Sequence, residues 1–269
     1  MTTISHHEAT GAREQGLLAK HYFLLRRLHS LSGIVPIGLF LFPHLFTNSS
    51  IMWARWTSPS STESPVAKGV RTFQEEVDFI HSLPFLTLIE VFGIWLPLAF
   101  HAVFGVYFAS QAKVNVQRYA YQDNWRYVWQ RITGYVAFAF IFVHVSSLRW
   151  GWTYGGVFPG FDAHHAASTT AAHFQQGKLG LAMAAIYLVS VLAVVFHFAN
   201  GLWTAGITWG LTLSAPAMKR WGHVCAGIGA TLAIAAVLSV YGFSTLDIAT
   251  ARETEAAMLG AEPAAEADR

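Results

Sequence analysis

Residues 178–209 read KLGLAMAAIYLVSVLAVVFHFANGLWTAGITW, and Lys178 at their start is the single charged residue among them. A helix rises about 1.5 Å per residue and a bilayer core is ~30 Å thick, so about 20 such residues cross it. This stretch spans with length to spare for tilting or for projecting beyond the membrane. It also carries a histidine, His197, deep among its apolar residues.

Outward from it lie four more apolar runs of spanning length, at residues 28–47, 83–110, 127–148 and 222–246. They predict an all-α polytopic membrane protein, a five-helix bundle over residues 28–248. Composition agrees: 54% of the 269 residues are apolar and 12% are charged, against about a quarter charged in soluble domains. The mean hydropathy is +0.39. The length leaves little room for a separate soluble domain. A net charge of +2 gives no ground for nucleic-acid binding. The single cysteine, Cys225, excludes an internal disulfide and a four-thiolate iron–sulfur site.

The connecting segments have their own character. The first twenty residues are polar, with no apolar centre of a cleavable signal peptide, so the first span is expected to direct insertion. SPSSTESP (58–65) reads as a loop tip, and FQEEVDFIH (73–81) as a short interfacial helix. The Ala- and Glu-rich residues 249–269 read as a disordered tail. Arg26, Arg27, Arg126, Arg131, Lys219 and Arg220 flank the spans on one side. The positive-inside rule therefore places the N-terminus in the cytoplasm.

Ionisable residues inside a span are costly and mark function. His44, His101, His144 and His197 lie one in each of the first four spans. His44 and His101 each sit about 17 residues past the point where their spans enter, roughly 25 Å across, and His144 and His197 lie similarly far along theirs. Because successive spans run in opposite directions, His44 and His144 share an outer layer, and His101 and His197 an inner one. Two histidines per layer on different helices is what bis-histidine haem ligation requires. One histidine in a span is more often a hydrogen-bonding or proton-path residue; four in two matched layers favour two b-type haems. Gly93, Gly105, Gly134 and Gly201 would let a flat ring approach the backbone. No C-x-x-C-H is present, which excludes a c-type haem. The loop histidines His6, His7, His164, His165 and His173 read as solvated, and His81 and His223 as interfacial.

FLLRRLHSLSGIVPIGLFLFPHL, SLPFLTLIEVFGIWLPLAFHAVFGVY, NWRYVWQRITGYVAFAFIFVHV and FHFANGLWTAGITWGLT resemble the di-haem cytochrome b subunit of succinate dehydrogenases and related fumarate reductases. The likeness covers roughly residues 20 to 245; residues 151–177 and the C-terminal tail do not obviously match. It implies a five-helix anchor in the bacterial inner membrane that docks a flavoprotein subunit and an iron–sulfur subunit on its cytoplasmic face. It implies axial ligation by His101 with His197 and by His44 with His144, and electron transfer to a quinone, with menaquinone expected. The dicarboxylate chemistry would lie on a partner.

Arg27, His29, Arg126 and Arg131 crowd the inner interface together with Arg26. They read either as topological anchors or as partners of haem propionates and the iron–sulfur subunit. Glu90 reads as a quinone-site or proton-path carboxyl, or as a bond to a neighbouring helix. Glu76 looks like an acidic residue at the outer quinone site of related fumarate reductases; a solvated loop carboxylate is the plain alternative. Two other functions fit less well: the cytochrome b subunit of a formate dehydrogenase or hydrogenase, and a haem-free transporter or anchor. The wording of the second and fourth spans argues against the first. The two histidine levels argue against a single midplane transport site.

Overall fold

The structure, a computed structural model, describes residues 20–57, 63–111 and 122–261. The N-terminal segment before residue 20, most of the loop tip, the basic segment over 112–121 and the last eight residues lie outside them. The described residues contain helices and no strand.

Among the described residues five stretches are long and apolar enough to cross a membrane: Tyr22–Trp56, Leu86–Ser110, Asn124–Leu148, Leu181–Thr208 and Ala215–Ser244. The first comprises α1 (Tyr22–Ile34) and α2 (Pro36–Trp53), which abut where Pro36 opens a new first turn. Pro lacks the N–H that would continue α1 and suits a helix start. The second comprises α4 (Leu86–Ile89), a π-helical turn over Glu90–Trp95, and α5 (Leu96–Ser110). Pro97 follows that turn, and such wide turns occur where a helix is interrupted near a site. The remaining spans are α6 (Gln122–Leu148), α8 (Leu181–Thr208) and α9 (Ala215–Ser244). The fifth span begins seven residues before the expected 222, because Ser214 accepts a hydrogen bond from the Ala217 amide and Pro216 fits the first turn.

The helices pack as their small and apolar faces allow. α8 lies against α6, α9 and α1; α9 lies against α2; α5 lies against α1. A cluster of Leu45, Val195, Leu232 and Ala236 joins α2, α8 and α9. Much of the outer surface is large and apolar, with Phe92, Val103, Val189 and Ile234 well exposed, as a bilayer solvent permits.

One end of the bundle carries a cap of α3 (Pro65–His81), α7 (Ala166–Gln175) and α10 (Ile248–Ala261). Val70, Phe73, Phe158, Ala167, Phe174 and Ala251 form its core with Ile51 and Phe243 of the spans. Here the structure corrects the expected disordered tail, since residues 248–261 are helical. Asp247 accepts a hydrogen bond from the Thr250 amide at the start of α10. Ala251 and Glu255, one turn apart, are fully buried, and the Glu255 carboxylate accepts from the Ser168 amide in the first turn of α7 at 2.9 Å. A carboxylate at the N-terminal turn of α7 favours that helix. His173, expected to be solvated, is also buried in this cap. Its ring packs on Phe158 and its Nδ1 bonds the Thr169 carbonyl.

Candidate haem site

Neither pair of histidines sits on two closely packed helices; the rings reach toward each other across the bundle. His101 of α5 faces His197 of α8 with ring centroids 6.1 Å apart and planes at 89°. His44 of α2 faces His144 of α6 at 5.8 Å and 85°. A metal–imidazole bond is about 2 Å and a ring nitrogen lies about 1 Å from the ring centre. Two imidazoles on opposite sides of one iron therefore have centroids about 6 Å apart. Among the described residues no set of three His, Cys, Asp or Glu side chains converges on a metal-sized site. Each pair thus offers two ligands, the number a porphyrin-bound iron still lacks.

Hydrogen bonding supplies a second test of fit. His101 Nδ1 lies 2.9 Å from the His29 carbonyl, and His197 Nδ1 lies 3.0 Å from the Gln130 carbonyl. A carbonyl only accepts, so each Nδ1 carries the proton. Each Nε2 then keeps its lone pair for a metal, the arrangement usual for ligating histidines. At the other end His144 Nδ1 is buried without a partner. That pair lies in an aromatic box instead. Phe40 stacks on His44 at 5.2 Å, Phe140 on His144 at 5.4 Å, and Tyr187 approaches His144 at 5.9 Å.

Two glycines make room for the first pair. A Cβ on Gly33 would lie 2.4 Å from His101 Cε1, and one on Gly134 would lie 2.9 Å from His197 Cε1. Gly134 was legible as a small residue near a ligand; Gly33 was not singled out. Of the others, Gly105 faces His29, Gly201 faces Gln130, and Gly93 has nothing within 4 Å.

The predicted cationic residues gather at the His101/His197 end. His29 stacks on His101 at 4.1 Å and 14°. Arg27 lies 4.4 Å over Phe23, and Arg131 lies 3.5 Å over Tyr127 and bonds its hydroxyl. Arg27 Nε, His29 Nδ1 and Arg131 Nη1 are buried without partners. Two orphaned guanidinium donors beside an unbonded imidazole nitrogen suit an anionic group such as a propionate. Arg126 differs, because its Nε already donates to Asn200 Oδ1 and its guanidinium lies 3.7 Å over Trp203.

The predicted carboxylates lie at the capped end. Glu76 of α3 sits beside the Thr47 and Ser50 side chains of α2, one turn or so beyond His44, and its Oε2 is buried without a partner. Burial pushes its pKa above the usual carboxylate value, against the two hydroxyls, which lower it. Glu90 is bound in a two-pronged ion pair, with Arg149 Nε and Nη2 donating at 3.1 and 3.0 Å. The helix-to-helix reading of Glu90 is the one this contact matches.

Five spanning helices that carry two facing imidazole pairs define a multi-pass membrane protein. No family model matches the chain. A relative in Bacillus subtilis (strain 168), the succinate dehydrogenase cytochrome b558 subunit, is 34% identical over 221 residues, covering 82% of this chain and 96% of the relative. The chain belongs to that family, the succinate dehydrogenase cytochrome b subunits.

Proposed function

We propose that this chain is the membrane anchor and electron-transfer subunit of a succinate:quinone oxidoreductase, carrying two bis-histidine haems b. The observation that carries the reading is the pair of ring separations, 6.1 and 5.8 Å, on four different spans. When bound, the haems supply one-electron transfer between an iron–sulfur partner and membrane quinone.

The protein's own residues then have defined tasks. His101 and His197 hold one iron toward the cytoplasm, with their Nδ1 protons fixed on backbone carbonyls. His44 and His144 hold the other toward the far side, inside aromatic walls that keep water out. Arg27 and Arg131 present unpaired donors to the propionates of the cytoplasmic haem, with the His29 ring beside them. Glu76, neutral over a wider pH range than a free carboxyl, holds a proton near the far pair for quinone chemistry. Glu90 braces the second span against Arg149. A flavoprotein and an iron–sulfur protein bind the cytoplasmic end, where the cationic spans begin, and menaquinone is the expected quinone.

The test is purification of the complex through a tag on this chain from bacterial inner membranes. A flavoprotein and an iron–sulfur protein should copurify, and succinate should reduce a b-type absorption band. Absence of both partners, or no b-type band after chemical reduction, would overturn the reading.

A further inference from the structure

One polar chain in the bundle runs from a surface cation to a ligand ring. Arg126 Nε donates to Asn200 Oδ1 at 2.9 Å. Asn200 Nδ2 donates to Gln130 Oε1 at 2.7 Å. Gln130 Nε2 donates to the His197 carbonyl at 3.1 Å, while the Gln130 carbonyl receives His197 Nδ1 at 3.0 Å. Asn200 is 4% exposed.

Every role in this chain is fixed from its charged end. Arginine has no acceptor, so the Asn200 oxygen must face it and the Asn200 amide nitrogen must face Gln130. That orients the Gln130 amide with oxygen toward Asn200 and nitrogen toward α8. The Gln130 nitrogen also lies 3.2 Å from His197 Nδ1. Two donors cannot bond each other, so it serves the His197 carbonyl, and Nδ1 serves the Gln130 carbonyl. Among the described residues no chain of this kind reaches the other pair, where His144 Nδ1 is left unbonded.

We propose that Gln130 and Asn200 are positioning residues of the His101/His197 site, coupling the charge of Arg126 to the plane and electronics of His197. The proposal rests on His197 as an iron ligand. It assigns Arg126 to this coupling rather than to direct propionate binding. A buried hydrogen-bonded chain holds the ring at one angle, here 89° to His101. A positive charge joined to it favours the reduced iron, because reduction adds an electron to the site.

The experiment uses the whole complex, with Asn200→Leu and Arg126→Gln, followed by haem quantification, redox titration and low-temperature electron paramagnetic resonance. Asn200→Leu should keep both haems and move the largest g value and midpoint of one centre, leaving the other unchanged. Arg126→Gln, a partly exposed position safe for folding, should lower the midpoint of that same centre, and Arg126→Lys should partly restore it. Unchanged spectra and potentials in both variants would overturn the proposal, as would equal shifts of both centres. If Asn200→Leu fails to assemble, the Arg126 variants decide by the same readouts. A wild-type complex with no haem at this end would overturn the ligand assignment first, and this proposal with it.

Discussion

The two histidine pairs share a separation near 6 Å and differ in almost everything around it. At the His101/His197 end both Nδ1 protons are tied to carbonyls, glycines seat the rings, and three arginines stand close by. At the His44/His144 end the rings lie among Phe40, Phe140 and Tyr187, one Nδ1 is unbonded, and the carboxyl of Glu76 on α3 lies beside Thr47 and Ser50 of α2. Carbonyl bonds make an imidazole a stronger donor and favour ferric iron, whereas nearby cations favour ferrous iron. A neutral hydrogen bond acts more weakly on the iron than a nearby cation does. The cations should therefore win, and the His101/His197 centre should have the higher midpoint potential.

The largest effect expected is loss of one centre at a time. His101→Ala should remove the higher-potential centre and about half the haem, and His144→Ala the lower-potential one; loss of both from either change would break the separation. Next comes steric displacement. Gly33→Ala places a methyl 2.4 Å from His101 Cε1, an overpacking of about 1–3 kcal/mol. It should shift or deplete the same centre, while Gly93→Ala, with nothing within 4 Å, should leave both spectra intact.

A smaller effect concerns the capped end and pH. Because the Glu76 pKa is raised, its carboxyl keeps its proton as pH rises past the ordinary carboxylate value and loses it only above the shifted one. Quinone turnover should fall across that higher step in wild type, and Glu76→Gln should turn over more slowly and lose that step. A Gln variant with wild-type rates and profile would remove Glu76 from the site. The smallest effect is structural. Glu255→Ala leaves the Ser168 amide unpaired and should cost about 1 kcal/mol, lowering the Tm of the complex with both haem spectra unchanged.

The difference between the ends also tracks what could be read from sequence. Five spans and four interior histidines are visible because lipid imposes length and polarity on every crossing segment. Their pairing follows from depth along alternating helices. Gly33, Gln130 and Asn200 were missed because their meaning lies on another helix: a glycine, a glutamine and an asparagine carry no mark of the ring they face. Arg126 was legible as a cation at the right end, but its partner was not. The cap was misread for a different reason. Alanines and glutamates in residues 249–261 look soluble, and only packing shows that Ala251 and Glu255 face inward. Asp247 ahead of Thr250 was the one local signal for that helix.

Haem stoichiometry combined with redox titration of the purified complex tests the central claim most directly. The account predicts two haems b per copy of this chain, titrating as two one-electron steps, the higher lost in His101→Ala. One haem or none per chain, or a single step abolished by neither histidine change, would contradict it.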